Sequence, residues 1–331
     1  MRDFIERIII MLLAYLAIGA GLIALMWSAD ALIAGVTSLA RHWGVSSLII
    51  GLTVVAFGTS APEMVVSLIA SLEQASAMAV GNVIGSNIAN ISLVFGLTIC
   101  ISPVAIKRGM FSLEFGVLLL VTLITGLVLF DHQISITDSL LFGLCLIGFV
   151  ALLTYKARHN RKQAEIFENE ANACVRLPIP RSYFQSAFSL TVLLVSADTL
   201  VWGAKTVALD WGISELIVGL TVVAIGTSLP ELATCIASAR KGHSDLAIGN
   251  IIGSNVLNIL LVLSLPGIVD SQATLPTEAF YRDYFTMLAM TVIWIGLFSL
   301  CIKQKRPMGR ISGTILLLSF LTYYYGLYAY A

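Results

Sequence analysis

Two glutamates, Glu63 and Glu231, stand inside long apolar runs, and each closes the same short string: Gly58-Thr59-Ser60-Ala61-Pro62-Glu63 and Gly226-Thr227-Ser228-Leu229-Pro230-Glu231. An ionisable residue at membrane depth costs at least about 2.5 kcal/mol even on a lenient insertion scale, so it needs a compensating role. Proline removes a backbone donor and clashes with the carbonyl of the preceding turn, while glycine loosens the helix ahead of it. Carbonyls near Ala56 and Ala224 are therefore expected to be freed beside the carboxylates. Carbonyls, hydroxyls and carboxylates together make the all-oxygen surroundings that hard cations such as sodium and calcium require. A packing carboxyl, protonated or hydrogen-bonded, is the bland alternative for one glutamate. A second at the matching position argues against it.

Thr59, Ser60, Thr227 and Ser228 have their own bland alternative, because hydroxyls in membrane helices often bond back to a carbonyl one turn earlier. Ser60, however, shares a helix face with Glu63 at three-residue spacing, which favours coordination. A second pair of polar strings, Gly81-Asn-Val-Ile-Gly-Ser-Asn-Ile-Ala-Asn90 and Gly249-Asn-Ile-Ile-Gly-Ser-Asn-Val-Leu-Asn258, carries six asparagines. Ser86 and Asn90 lie four apart, as do Ser254 and Asn258, so each pair shares one face and is placed to complete the cage. Gly81, Gly85, Ser86, Gly249, Gly253 and Ser254 read as close helix packing, with asparagine as glue between helices. Asp30 and Asp198, late in their runs, read as interfacial cap or pairing residues. His42, His132, His159 and His243 fall in expected loops, and the five cysteines lack C-x-x-C spacing, so neither a zinc site nor a disulfide framework is expected.

These residues must be held by helices in lipid. Of 331 residues, 58% are hydrophobic and 11% charged, and mean hydropathy is +0.93. Ten runs are long enough to cross a hydrocarbon core: roughly 8–38, 45–70, 78–103, 111–130, 135–155, 183–208, 213–239, 246–270, 280–303 and 308–330. They are continuously apolar rather than alternating, which excludes a β-barrel. The first run is too long for a signal-peptide core and is read as a retained helix.

The paired strings recur at a constant offset of 168 residues without a gap, and Ser28-Ala29-Asp30 matches Ser196-Ala197-Asp198 at the same offset. The expected fold is all-α and membrane-integral, with a first five-helix repeat over 1–155, a polar cytoplasmic linker over 156–182 and a second five-helix repeat over 183–331. An odd number of spans per repeat inverts the second copy, a recurring design in secondary transporters. If the N-terminus marks one side, that side carries Arg2, Arg7, Lys205 and Arg282, and the other carries the remaining fifteen basic residues. The positive-inside rule then makes the second side cytoplasmic and puts both termini outside a cell (inner) membrane. Tyr323, Tyr324, Tyr325, Tyr328 and Tyr330 read as an interfacial belt on the last helix.

The two strings, G-T-S-x-P-E followed by G-N-x-x-G-S-N-x-x-N, resemble the paired α-repeats of the sodium/calcium exchanger family, and the resemblance covers essentially the whole chain. It implies an antiporter, not an enzyme, whose first and sixth helices slide against an eight-helix core. By motif position it implies Glu63 and Glu231 as central carboxylates, with Thr59, Ser60, Thr227 and Ser228 beside them. Ser86, Asn90, Ser254 and Asn258 would come from spans three and eight, and the carbonyls of Ala56 and Ala224 would join. Some members carry aspartate where this chain has Asn258, so the present site holds two carboxylates and no third.

Calcium and sodium are the expected transported ions, with no cofactor, and the partners expected are cations and the lipid bilayer. Proton-driven exchange is the nearest rival, because a buried carboxyl can carry a proton instead of a metal ion. A passive channel would call for a continuous polar stripe through several spans, whereas polar residues concentrate in the four motif segments. An intramembrane enzyme would call for a nucleophile with its base, or a histidine-rich metal site. Net charge is zero, and no basic patch is interleaved with aromatics, which excludes nucleic acid. No long acidic loop is present to serve as a calcium sensor, and nothing in the chain points to a protein partner.

Overall fold

The computed structural model describes residues 2–43, 60–106, 112–159, 177–240, 244–270 and 273–329. The chain is almost wholly helical: α1 (Arg2–His42), α2 (Ala61–Leu72), α3 (Ser76–Ile101), α4 (Ser112–Val128), α5 (Ile136–His159), α6 (Ile179–Trp211), α7 (Glu215–Arg240), α8 (244–269), α9 (Ala279–Gln304) and α10 (Arg310–Ala329). Among the described residues, nine of these are long and apolar enough to span a bilayer. The tenth, α2, is the described part of the second expected span. Ala56, Gly58 and Thr59 lie outside the described residues.

Helix α1 has 41 residues and α6 has 33, about 60 and 50 Å at 1.5 Å per residue. Both exceed a hydrocarbon core of about 30 Å, so they must tilt or project beyond it. They run antiparallel against each other at close range, and glycine permits this at repeat-related points. A Cβ on Gly203 would lie 2.7 Å from the Ala14 carbonyl oxygen, and one on Gly35 would lie 3.3 Å from that of Ser182. Their outer faces, with Leu12, Leu16, Ile23, Trp27, Phe184 and Val195, are exposed, as suits contact with lipid.

Helices α3 and α8 form the centre. In each, 78% of the most apolar window is buried, against 17% for α5. Helix α3 lies so close to α7 that a Cβ on Gly81 would sit 2.5 Å from the Leu216 carbonyl oxygen, and one on Gly85 would sit 2.7 Å from the Ala224 Cβ. Small residues allow this approach, which supplies dispersion contact where lipid gives no hydrophobic drive.

The inversion is visible at the loops. A short antiparallel pair, β1 (Gln133–Ile134) with β2 (Ala273–Thr274), ties the α4–α5 loop to the α8–α9 loop. A two-fold axis in the membrane plane maps that contact onto the α9–α10 and α3–α4 loops at the opposite end of the bundle. There Val104 and Met308 form the matching bridge. Ser76, donating to Asp270 at one end, is likewise mirrored by Ser244, which accepts the Ala105 N–H at the other.

Two expectations change. His42 and His159 are the last residues of α1 and α5 rather than loop residues, because main-chain hydrogen bonding carries each helix past its apolar stretch. The His42 Nε2 lies 2.8 Å from the Leu177 carbonyl oxygen. Asp30 and Asp198 lie within α1 and α6, each at an exposed position. The tyrosines divide: Tyr325 and Tyr328 are exposed, whereas Tyr323 turns inward and donates to Asp283 at 2.9 Å, and Tyr324 donates to the Leu220 carbonyl at 2.6 Å. Asp283 is fully buried and also holds the adjacent Arg282 through two hydrogen bonds, of 2.7 and 3.2 Å. A buried carboxylate needs such partners, and helix α10 supplies one of them.

Gly81→Ala places a methyl group against the α7 backbone and is expected to destabilise the protein by about 1–3 kcal/mol. Gly143→Ala on α5, where a Cβ meets nothing within 4 Å, is expected to leave stability unchanged or slightly higher. Thermal unfolding of the two variants in detergent checks the contrast.

Candidate cation site

Both motifs break their helices in the same way. Ser60 has φ −91° and ψ 9°, and Ser228 has φ −85° and ψ 2°. This is the sparsely populated bridge between helical and extended backbone. A new helical stretch starts after each serine, with proline at its second residue and glutamate in its first turn. Glu63 and Glu231 therefore lie at helix N-termini, where unpaired N–H groups and the helix dipole favour negative charge. The expected freeing of the Ala224 carbonyl is not observed. It accepts the Ser228 N–H at 3.1 Å and faces the Thr227 hydroxyl at 3.4 Å, because the turn at Ser228 carries the hydrogen-bond ladder one step further. Pro230 instead withdraws the N–H that Gly226 would have received. Ala56 and Thr59 cannot be placed beside their mates, being outside the described residues.

Glu63 and Glu231 are completely buried and close enough for their charges to act on each other, and Asp30 on α1 adds a further acidic group on the Glu231 side. The Ser254 hydroxyl donates to Glu231 Oε1 at 3.4 Å, and Thr227 lies beside the Glu63 carboxyl. Helices α3 and α8 each contain a π-helical turn that begins at a site asparagine, over Asn90–Phe95 and Asn258–Val262. Such turns recur at functional sites because they rotate the residues that follow.

The unmatched oxygens are concentrated here. Among the described residues, Ser60 Oγ, both Glu63 carboxylate oxygens, Asn90 Oδ1, Ser228 Oγ, Glu231 Oε2 and Asn258 Oδ1 are buried without a hydrogen-bond partner. They belong to three repeat-related pairs, Ser60 with Ser228, Glu63 with Glu231, and Asn90 with Asn258. Seven such oxygens fall within the six to eight that a calcium ion takes. Left alone, each orphan would cost about 1–3 kcal/mol, and more where it is charged.

Of the remaining expected ligands, Ser86 faces Asn82 Oδ1 at 3.5 Å. Asn82, read from sequence as packing glue, joins three elements. Its Nδ2 donates to Ser67 Oγ at 2.9 Å and to the Glu63 carbonyl at 3.3 Å, and its Oδ1 accepts from Thr227 at 3.3 Å. Its repetition at Asn250 was the available signal, but the choice of partners depends on the fold.

The family described as "Sodium/calcium exchanger protein" matches residues 13–155 and 181–329. An inner membrane protein, YrbG, of Escherichia coli (strain K12) is 38% identical over 96% of this chain and 98% of its own length. The sodium/calcium exchanger MaX1 of Methanosarcina acetivorans is 28% identical over 88% of this chain and 93% of its own. Among solved structures, the sodium-calcium exchanger NCX_Mj, soaked with sodium and strontium, superposes with a TM-score of 0.59 and 29% identity, over 94% of this chain and 97% of that one.

Calcium added at a hundred times its dissociation constant is expected to stabilise the purified protein by about 2.7 kcal/mol. Glu63→Gln and Glu231→Gln are each expected to abolish that gain while leaving the cation-free protein at least as stable, since each removes a buried charge. Thermal unfolding with calcium or with chelator reads both effects.

Proposed function

The chain belongs to the sodium/calcium exchanger protein family, and from that premise we propose that it moves calcium against sodium by alternating access at the cage around Glu63 and Glu231. The observation that carries this reading is the set of seven buried oxygens without partners, on three repeat-related pairs that include both glutamates. Charge counting supports exchange. Two ionised carboxylates are balanced by one calcium ion, two sodium ions or two protons, whereas the bare pair leaves like charges in a low-dielectric interior. A carrier without ions is therefore slow to reorient, and the inward passage of one ion is coupled to the outward passage of the other. A third sodium ion would make the cycle electrogenic, with about 2.3 kcal/mol per net charge per 100 mV acting on it.

Helices α1 and α6 are the moving part in this reading. They pack chiefly on each other, and the α1 side chain Leu22 rests on Gly226 in the break of α7, where a Cβ would lie 2.5 Å from its Cδ2. Access to the site from that direction calls for Leu22 to move. Residues 1–155 and 183–331 act as the two inverted halves joined by a cytoplasmic linker at 156–182. Both termini face outward from the cell membrane, in keeping with the basic-residue asymmetry. The relative named as an inner membrane protein supports that location.

Reconstituted vesicles offered radioactive calcium are expected to take it up under an outward sodium gradient, with uptake falling to background in Glu63→Gln and Glu231→Gln. Uptake driven only by an outward proton gradient would replace sodium by protons. Flux without either gradient would mean a channel.

A further inference from the structure

Four amide hydrogen bonds cross the pseudo-two-fold axis between α3 and α8. Asn87 Nδ2 donates to the Asn255 main-chain carbonyl at 3.2 Å, and Asn255 Nδ2 donates to the Asn87 carbonyl at 3.4 Å. Asn90 Nδ2 donates to Asn255 Oδ1 at 3.1 Å, and Asn258 Nδ2 donates to Asn87 Oδ1 at 3.2 Å. The two halves of this quartet are the same pair of bonds seen from the two repeats, and all four residues are buried.

The network fixes which end of each amide points where. Turned over, Asn87 would set its Oδ1 against the Asn255 carbonyl and its nitrogen against the Asn258 nitrogen, acceptor to acceptor and donor to donor. With Asn87 and Asn255 held by main-chain carbonyls, the nitrogens of Asn258 and Asn90 are drawn to them. The Oδ1 atoms of Asn258 and Asn90 are then the oxygens that remain buried without a partner.

We propose that Asn87 and Asn255 are positioning residues that orient Asn258 and Asn90 so that each offers oxygen, not nitrogen, to the cation. The inference rests on the cation reading of the site. It also explains why both repeats carry asparagine at the ligand position. A carboxylate at 258 would face Asn87 Oδ1 with a second acceptor, so the quartet holds the cage at two negative charges, the number matched by one divalent or two monovalent ions.

The test is the calcium KM and maximal rate of uptake into vesicles for Asn87→Ala, Asn258→Ala, the double variant, and Asn87→Ala with Asn90→Ala. Each single change is expected to raise KM about tenfold, the scale of one lost hydrogen bond to a ligand. Because Asn87 acts through Asn258, their double variant is expected to stay near tenfold, whereas Asn87→Ala with Asn90→Ala strikes both ligand amides of the cage and is expected to raise KM well beyond tenfold, Asn90 taking its orientation from the Asn255 side chain and not from that of Asn87. A hundredfold effect in the Asn87/Asn258 double variant, or an unchanged KM in Asn87→Ala, overturns the assignment. If Asn87→Ala does not fold, Asn255→Ala with Asn90→Ala asks the same question from the other repeat. Misfolding of both Asn87→Ala and Asn255→Ala while Asn90→Ala and Asn258→Ala fold marks a purely structural brace and also overturns it. Absence of calcium uptake by the unaltered protein would instead remove the functional reading beneath it.

Discussion

Two carboxylates buried in one low-dielectric interior repel each other and lose their hydration, and much of the surrounding structure answers that cost. Each glutamate stands in the first turn of a helix that restarts after a bridge-region serine, so the helix end opposes its charge. Among the described residues each is flanked by oxygens, Thr227 beside Glu63 and Ser254 beside Glu231, and by no lysine or arginine. A fixed basic partner such as Arg282, which holds Asp283 elsewhere in this chain, would neutralise a carboxylate permanently. Oxygens alone leave the charge to be balanced by a mobile ion in the proposed exchange.

The inverted repeat follows from the same need. One five-helix unit supplies one broken helix and one asparagine-bearing helix, and a two-fold axis in the membrane plane brings the second set to the same depth. Close packing of α3 on α7 through Gly81 and Gly85 carries the break of α7 up to the centre. The amide quartet joins α3 to α8 across the axis. Long α1 and α6 pack chiefly on each other, and meet the centre through one apolar face, where Leu200, Val201 and Ala204 of α6 join Val66 and Ala70 of α2 and Leu22 of α1 rests on Gly226. Among the described residues, the contact between the α1–α6 pair and the centre is chiefly apolar, with none of the amide bonds that tie α3 to α8.

Much of this was legible because each feature appears twice. The gapless 168-residue offset gave the repeat, the inversion and both glutamates, since an identical string in two apolar runs is hard to attribute to packing alone. Features that depend on one partner far away in sequence were hidden. Tyr323 looks like any interfacial tyrosine until Asp283 is seen beside it. Asn82 and Asn87 look like packing glue until their amides are traced to Thr227 and Asn258. The Ala224 carbonyl was misjudged because proline acts on the carbonyl four residues before it, and the turn at Ser228 preserves the earlier bond.

The central claim is that one cation is held between Glu63 and Glu231 by oxygens from both repeats. Crystals soaked in strontium, an anomalous scatterer that stands in for calcium, test it most directly. The account predicts a single strong peak between the two carboxylates, with ligand distances of about 2.3–2.6 Å, or slightly longer for the larger ion, and with Asn90 and Asn258 contributing oxygen. A peak at another place in the bundle, or none between the glutamates in a protein that transports calcium, would contradict it.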